Sequence, residues 1–116
     1  MTKKQYQPAV AALHDAHSIC IVTHLRPDAD AIGSAAALLL ALRQRGKDVC
    51  AVVGQEREIS RNLYTIPAAD DVTTSRELPE GYDLYVTVDC GSLDRTGFFA
   101  DRIEQLAQQG RVLCID

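Results

Sequence analysis

Residues Ser18–Arg45 read SICIVTHLRPDADAIGSAAALLLALRQR, and this stretch decides the fold. Its opening, Ser18–Thr23, is a continuous apolar run rich in β-branched residues, the pattern of a strand covered on both faces of a parallel sheet. From Ala31 to Arg45 the composition turns to Ala and Leu, strong helix formers, and Gly46 supplies a C-terminal stop. Val49–Val53 follows as a second buried strand. Strand, helix and strand in that order predict a right-handed βαβ unit.

Outward from this unit the same periods continue. Upstream, Pro8–Ala16 reads as a short helix, with Ala9, Ala12, Leu13 and Ala16 at helical spacing. Downstream, Gly54–Gly81 has little regular pattern. Its polar stretch Gln55–Asn62 has room for one helical turn, and Pro67 and Pro79 interrupt regular structure. Leu84–Val88 is a third strand, ending at Asp89. Phe98–Gln109 carries an amphipathic helical pattern through Phe98, Phe99, Ile103, Leu106 and Ala107, stopped by Gly110, and Val112–Ile115 begins a fourth buried strand. No internal repeat, low-complexity tract or linker interrupts the chain. The expected fold is α/β, a doubly wound, mostly parallel sheet. Such sheets bind ligands beyond the carboxyl ends of their strands, where strand order reverses. His24 follows the first strand, Asp89 the third and Asp116 the fourth, so the three converge on one rim.

Composition narrows the function. The 116 residues make one compact domain, and 47% hydrophobic with 24% charged residues is ordinary for a globular chain. A net charge of −4 and a pI near 5.3 argue against broad adhesion to nucleic acid or anionic membrane. They leave a nucleotide substrate open, because a bound dication reverses the field a phosphate meets. Cys20, Cys50, Cys90 and Cys114 form no CxxC pair and read as reduced thiols of a cytoplasmic protein. Neither a signal peptide nor a run long enough to span a bilayer is visible, so no membrane partner is expected.

The chemistry concentrates in His24-x3-Asp28-x-Asp30. One imidazole and two carboxylates on a strand-to-helix connection suit a divalent metal such as Mn²⁺. Taken singly, Asp30 also suits a helix N-cap and Asp28 a turn; with His24 and Asp89 at the same rim, the metal reading prevails. Gly33 and Ser34 fall where a helix N-terminus offers N–H groups to an anion, although the same pair would simply allow close helix–sheet packing. Arg26 and Arg95 are the basic residues nearest the rim, suited to a phosphate and equally to a solvated surface. His14 and His17 have no third ligand in reach, Asp83 reads as a turn residue before the third strand, and Arg43, Arg45 and Lys47 read as solvated charge.

These residues resemble a known family. His24-x3-Asp28-x-Asp30-x2-Gly33-Ser34 looks like the first motif of the DHH phosphoesterases, and Val88-Asp89 with Asp94-Arg95-x-Gly97 looks like the second. Cys114-Ile115-Asp116 looks like the start of the third, Asp-His-His, cut off after its aspartate. Within the family the Gly-Ser pair and the Ala/Leu helix are more similar to the nanoRNase/pAp-phosphatase (RecJ-like oligoribonuclease) branch than to the manganese pyrophosphatases. The resemblance implies a two-Mn²⁺ hydrolase acting on short RNA or on pAp, 3′-phosphoadenosine 5′-phosphate. His24 and Asp28 would hold one ion, Asp30 the other, and Asp89 would bridge them; Asp116 would orient the site. It also implies that residues 1–116 are the N-terminal portion of the catalytic domain, with little or no turnover alone. A sheet edge exposed at the final strand suggests self-association. Two alternatives stand beside this reading: a manganese-dependent inorganic pyrophosphatase-like hydrolase, and a non-catalytic α/β binding module.

Overall fold

The computed structural model describes residues 3–115, with side chains from residue 7 onward. Helix α1 spans Lys3–Asp15, strand β1 Ser18–Thr23, helix α2 Ala29–Gln44 and strand β2 Asp48–Val53. Two short 3₁₀ segments, Arg61–Thr65 and Ala69–Asp71, lead into a three-residue strand β3, Val72–Thr74. Strand β4 is Leu84–Val88, a 3₁₀ segment covers Leu93–Phe99, helix α3 is Ala100–Gln108 and strand β5 is Val112–Ile115.

The five strands form one sheet in the order β3-β2-β1-β4-β5, and each neighbouring pair is parallel. Alternation along β1 explains why its sequence is apolar throughout. Ile19 and Ile21 face a core with Ile32, Ala35 and Leu39 of α2, whereas Cys20 and Val22 face a second core with Phe99, Ile103 and Leu106. The sheet is thus covered on both faces and doubly wound, an α/β fold.

Several boundaries differ from the sequence reading. Helix α1 begins upstream of Pro8, and α2 begins at Ala29 because Asp28, not Asp30, is its N-cap. The expected run Phe98–Gln109 is helical only from Ala100, and its apolar stripe is Phe99, Ile103 and Leu106; Phe98 is exposed. Gly97, at φ 66° and ψ −127°, breaks the backbone just before it, a conformation open to glycine and costly for other residues. Strand β5 is not a buried strand: among the described residues it pairs with β4 alone, and Cys114 and Ile115 are exposed. Nor is Lys47 merely solvated, since its Nζ donates to the carbonyls of His14 and Ala16 at the end of α1. Arg43 likewise pairs with Asp71 at 2.9 Å.

Candidate metal centre

Strands β1 and β4 lie side by side at the centre of the sheet, and the chain leaves them toward opposite edges. From β1 it runs through α2 to β2; from β4 it runs through α3 to β5. The carboxyl ends of β1 and β4 therefore flank the switch point, where a crevice opens between diverging connections. His24 and Asp89 are the first residues beyond these two strands.

Several bonds hold the strand ends together. Thr23 Oγ1, buried, donates to the Val88 carbonyl at 2.9 Å, one residue before each candidate ligand. The Asp89 N–H donates to the Ile115 carbonyl at 3.1 Å. Leu25 N–H donates to the Arg95 carbonyl at 2.8 Å, and Phe98 N–H to the Gly54 carbonyl at 3.0 Å, so the 3₁₀ segment Leu93–Phe99 is sewn across the ends of β1 and β2. Asp89 has φ 52° and Arg26 φ 49°, two of the three non-glycine residues with positive φ among those described. Both sit at this rim, where unusual backbone is retained only if the surroundings impose it.

His24 is 7% exposed, and its Nδ1 lies 2.7 Å from the Leu25 carbonyl. With the Nδ1 proton donated to that carbonyl, Nε2 carries the lone pair. Nε2 is 3.7 Å from Asp28 Oδ1 and 3.7 Å from Asp89 Oδ2. Arg95 Nη2 stands 3.1 Å from the same Nδ1, but a guanidinium only donates. The Arg95 and Leu25 contacts are therefore alternatives, and only the Leu25 bond leaves Nε2 free to ligate. The three ligand atoms lie within 4.8 Å of one another. Ligands about 2.1 Å from one ion sit roughly 3–4.2 Å apart, so one nitrogen and two carboxylate oxygens fit a single first-row dication after a small side-chain adjustment.

Asp28 does two jobs. Its Oδ1 accepts from the Ala31 N–H at 2.9 Å, which caps α2, and that bond, followed by the nearby His24, holds its carboxyl below the usual range. The N-cap that the sequence suggested for Asp30 falls instead on Asp28, whose carboxylate also faces His24 Nε2.

The other expected residues are placed as follows. Asp30 is exposed in the first turn of α2, outside the His24–Asp28–Asp89 cluster. Gly33 and Ser34 lie in the second turn, so the free N–H groups of the helix end belong to residues before them, and Ala31 is already capped. A Cβ on Gly33 would meet nothing within 4 Å, so close packing does not require that glycine. Ser34 lines a cavity of about 200 Å³ together with Asp89 and Val88. Arg26 and Arg95 line another of about 490 Å³ with Leu25 and Asp94. Asp94 is held below the usual carboxylate range mainly by the Ser92 hydroxyl. Asp116 lies outside the described residues.

Thr23, the Leu25 carbonyl and the Gly54–Gly97 contact escaped the sequence reading. A hydroxyl closing an otherwise apolar strand is the one signal that would have singled out Thr23.

Comparison with known proteins identifies the fold and the family. In one solved structure, an exopolyphosphatase-related protein from Bacteroides fragilis, the matching region is 26% identical to this chain, with a TM-score of 0.78. The match covers 100% of this chain and 36% of that one, so the chain spans about a third of the length of its structural relative. The model of the DHH family, N-terminal domain, matches residues 18–116, from the first residue of β1 through the strands that carry His24 and Asp89. The chain belongs to the DHH family, over that family's N-terminal domain.

Proposed function

We propose that this chain forms the metal-binding part of a cytoplasmic, Mn²⁺-dependent phosphoesterase whose substrates are short oligoribonucleotides, pAp or both. The observation that carries the reading is the His24–Asp28–Asp89 cluster at the switch point of a DHH-family sheet. His24 Nε2 and one oxygen each of Asp28 and Asp89 would hold the first ion; Asp30, on the adjacent helical turn, is the candidate for a second. Bound dications supply charge for the phosphoryl oxygens and a water acidic enough to attack at neutral pH. The chain's own residues do the rest. Leu25 fixes the His24 tautomer, Thr23 holds the two strand ends in register, and Arg26 and Arg95 present guanidinium groups to a phosphate. Ser34, beside Asp89, is a further candidate for a phosphate contact, with Gly33 leaving room next to it. Asp116 remains the candidate for orienting the site.

A second reading, hydrolysis of an inorganic phosphoanhydride such as pyrophosphate or polyphosphate, is favoured by the name of the Bacteroides fragilis relative. Calorimetric titration of the chain with Mn²⁺, followed by competition with pAp and with pyrophosphate, separates the readings. Saturable heat with tighter capture of pAp supports the first. A clear preference for pyrophosphate supports the second. Absence of any specific Mn²⁺ heat rejects both and leaves a binding module whose aspartates are caps.

A further inference from the structure

Beside the metal centre lies a further concavity to which the phosphoesterase reading assigns no ligand. It has a volume of about 410 Å³ and is lined by Leu25, Arg26, Gly54, Arg57, Gly97 and Phe98, among others. It shares Leu25 and Arg26 with the cavity of Arg95, whose guanidinium touches the ring of His24. A phosphate held at Arg26 and Arg95 would border this space.

The walls are specific in character. Gly54 and Gly97 bring bare backbone together, because a Cβ on either would collide with the opposite strand of the contact. Phe98 is one of only two phenylalanines in the chain and is 53% exposed, while its neighbour Phe99 is fully buried. Its ring is held in place by the Arg76 guanidinium, 5.5 Å from the centroid. Arg76 in turn pairs with Glu56, itself a lining residue, so the carboxylate in the wall is partnered by a cation. Arg26 and Arg57 have no ion-pair partner among the described residues, so the mouth is cationic on a chain of net charge −4. A mainly carbon-walled slot of this volume, with a fixed ring and cations at its entrance, matches a flat aromatic group attached to a phosphate. Inorganic phosphoanhydrides have nothing to place there.

We infer that the slot between Leu25, Gly54, Gly97 and Phe98 is a nucleobase subsite, filled by the base of a nucleotide whose phosphate is held at Arg26, Arg95 and the metal centre. The inference rests on the phosphoesterase reading and adds to it a residue, Phe98, that selects nucleotides over inorganic substrates.

The test uses the Mn²⁺-loaded chain and two probes that differ only in the base, adenosine 5′-monophosphate and ribose 5-phosphate. Calorimetry is expected to show the nucleotide binding about tenfold more tightly, the size of one base–aromatic stack. In Phe98→Ala that advantage falls below about twofold with ribose 5-phosphate affinity unchanged, and in Phe98→Tyr it persists. Equal binding of the two probes to the native chain, or equal weakening of both by Phe98→Ala, overturns the subsite and leaves the phosphoesterase reading standing. Failure of both probes to bind the metal-loaded chain overturns the two together.

Discussion

His24 Nε2 and Asp89 Oδ2 lie 3.7 Å apart, each carried by the first residue past one of the two central strands. A dication shared by these atoms would cross-link β1 to β4 at the switch point, in parallel with the Thr23–Val88 bond. Metal binding would thereby be coupled to folding.

Mn²⁺ at a hundred times its dissociation constant is expected to stabilise the native chain by about 2.7 kcal/mol, read as a rise in Tm. Asp89→Asn removes the anionic ligand without disturbing the backbone, because asparagine tolerates φ 52° as well as aspartate does. Its metal-free Tm should match the native one, and its Mn²⁺ affinity should fall tenfold or more. An unchanged Mn²⁺-induced rise in Tm would remove Asp89 from the centre.

Two substitutions at Asp28 separate its two tasks. Asp28→Asn keeps an oxygen for the Ala31 N–H and loses the charge, so metal affinity should drop while metal-free stability falls less than in Asp28→Ala. Asp28→Ala should lower both, because α2 also loses its cap. Thermal melts with and without Mn²⁺ distinguish the pair; equal metal-free melting temperatures for the two variants would deny the cap.

Gly97→Ala tests the contact that sews the 3₁₀ segment over the strand ends. The new methyl would meet the Gly54 carbonyl and the Leu25 side chain, on a backbone at φ 66°. A loss of about 3 kcal/mol in denaturant unfolding is expected, combining steric and backbone strain. Because Leu25 positions the His24 ring, Mn²⁺ affinity should also weaken. A variant as stable as the native chain would contradict the tight approach.

The sequence was most legible where one physical demand acted alone. Ser18–Thr23 and Leu84–Val88 run as expected because buried strands in a parallel sheet show as unbroken apolar runs. The site was legible for a related reason: His24 and Asp89 interrupt apolar strands at the carboxyl ends, where parallel topology gathers ligands. Legibility failed where demands competed. Both Asp28 and Asp30 suit an N-cap, and the helix is capped at Asp28, whose side chain accepts from the Ala31 N–H. Strand β3 has three residues, too few for any period to emerge, and it forms because Val72 fills the core beside Ala51. Adjacent Phe98 and Phe99 look alike in sequence, yet the break at Gly97 sends one to the core and leaves the other at the rim.

Asp83 predicts how the opposite end of the sheet responds to acid. Its Oδ2 accepts from the backbone N–H groups of His17, at 2.9 Å, and Ser18, at 3.3 Å, while Ser18 Oγ accepts from the Asp83 N–H at 2.9 Å. The turn residue expected from sequence is therefore a clamp between the starts of β1 and β4. The His17 N–H, then that of Ser18, hold the Asp83 carboxyl below its ordinary value. A carboxyl whose folded pKa is depressed adds stability that is fully present above the unfolded pKa, near 3.8, and is lost as pH falls through the folded one. Asp28, Glu80 and Asp94 shift in the same direction, so Asp83 supplies only part of the acid sensitivity. Asp83→Asn keeps an acceptor but no titratable charge. It should melt below the native chain at pH 7 and lose less Tm between pH 5 and pH 3. Parallel losses of Tm in the two proteins over that interval would show that the ionised clamp does not contribute to stability.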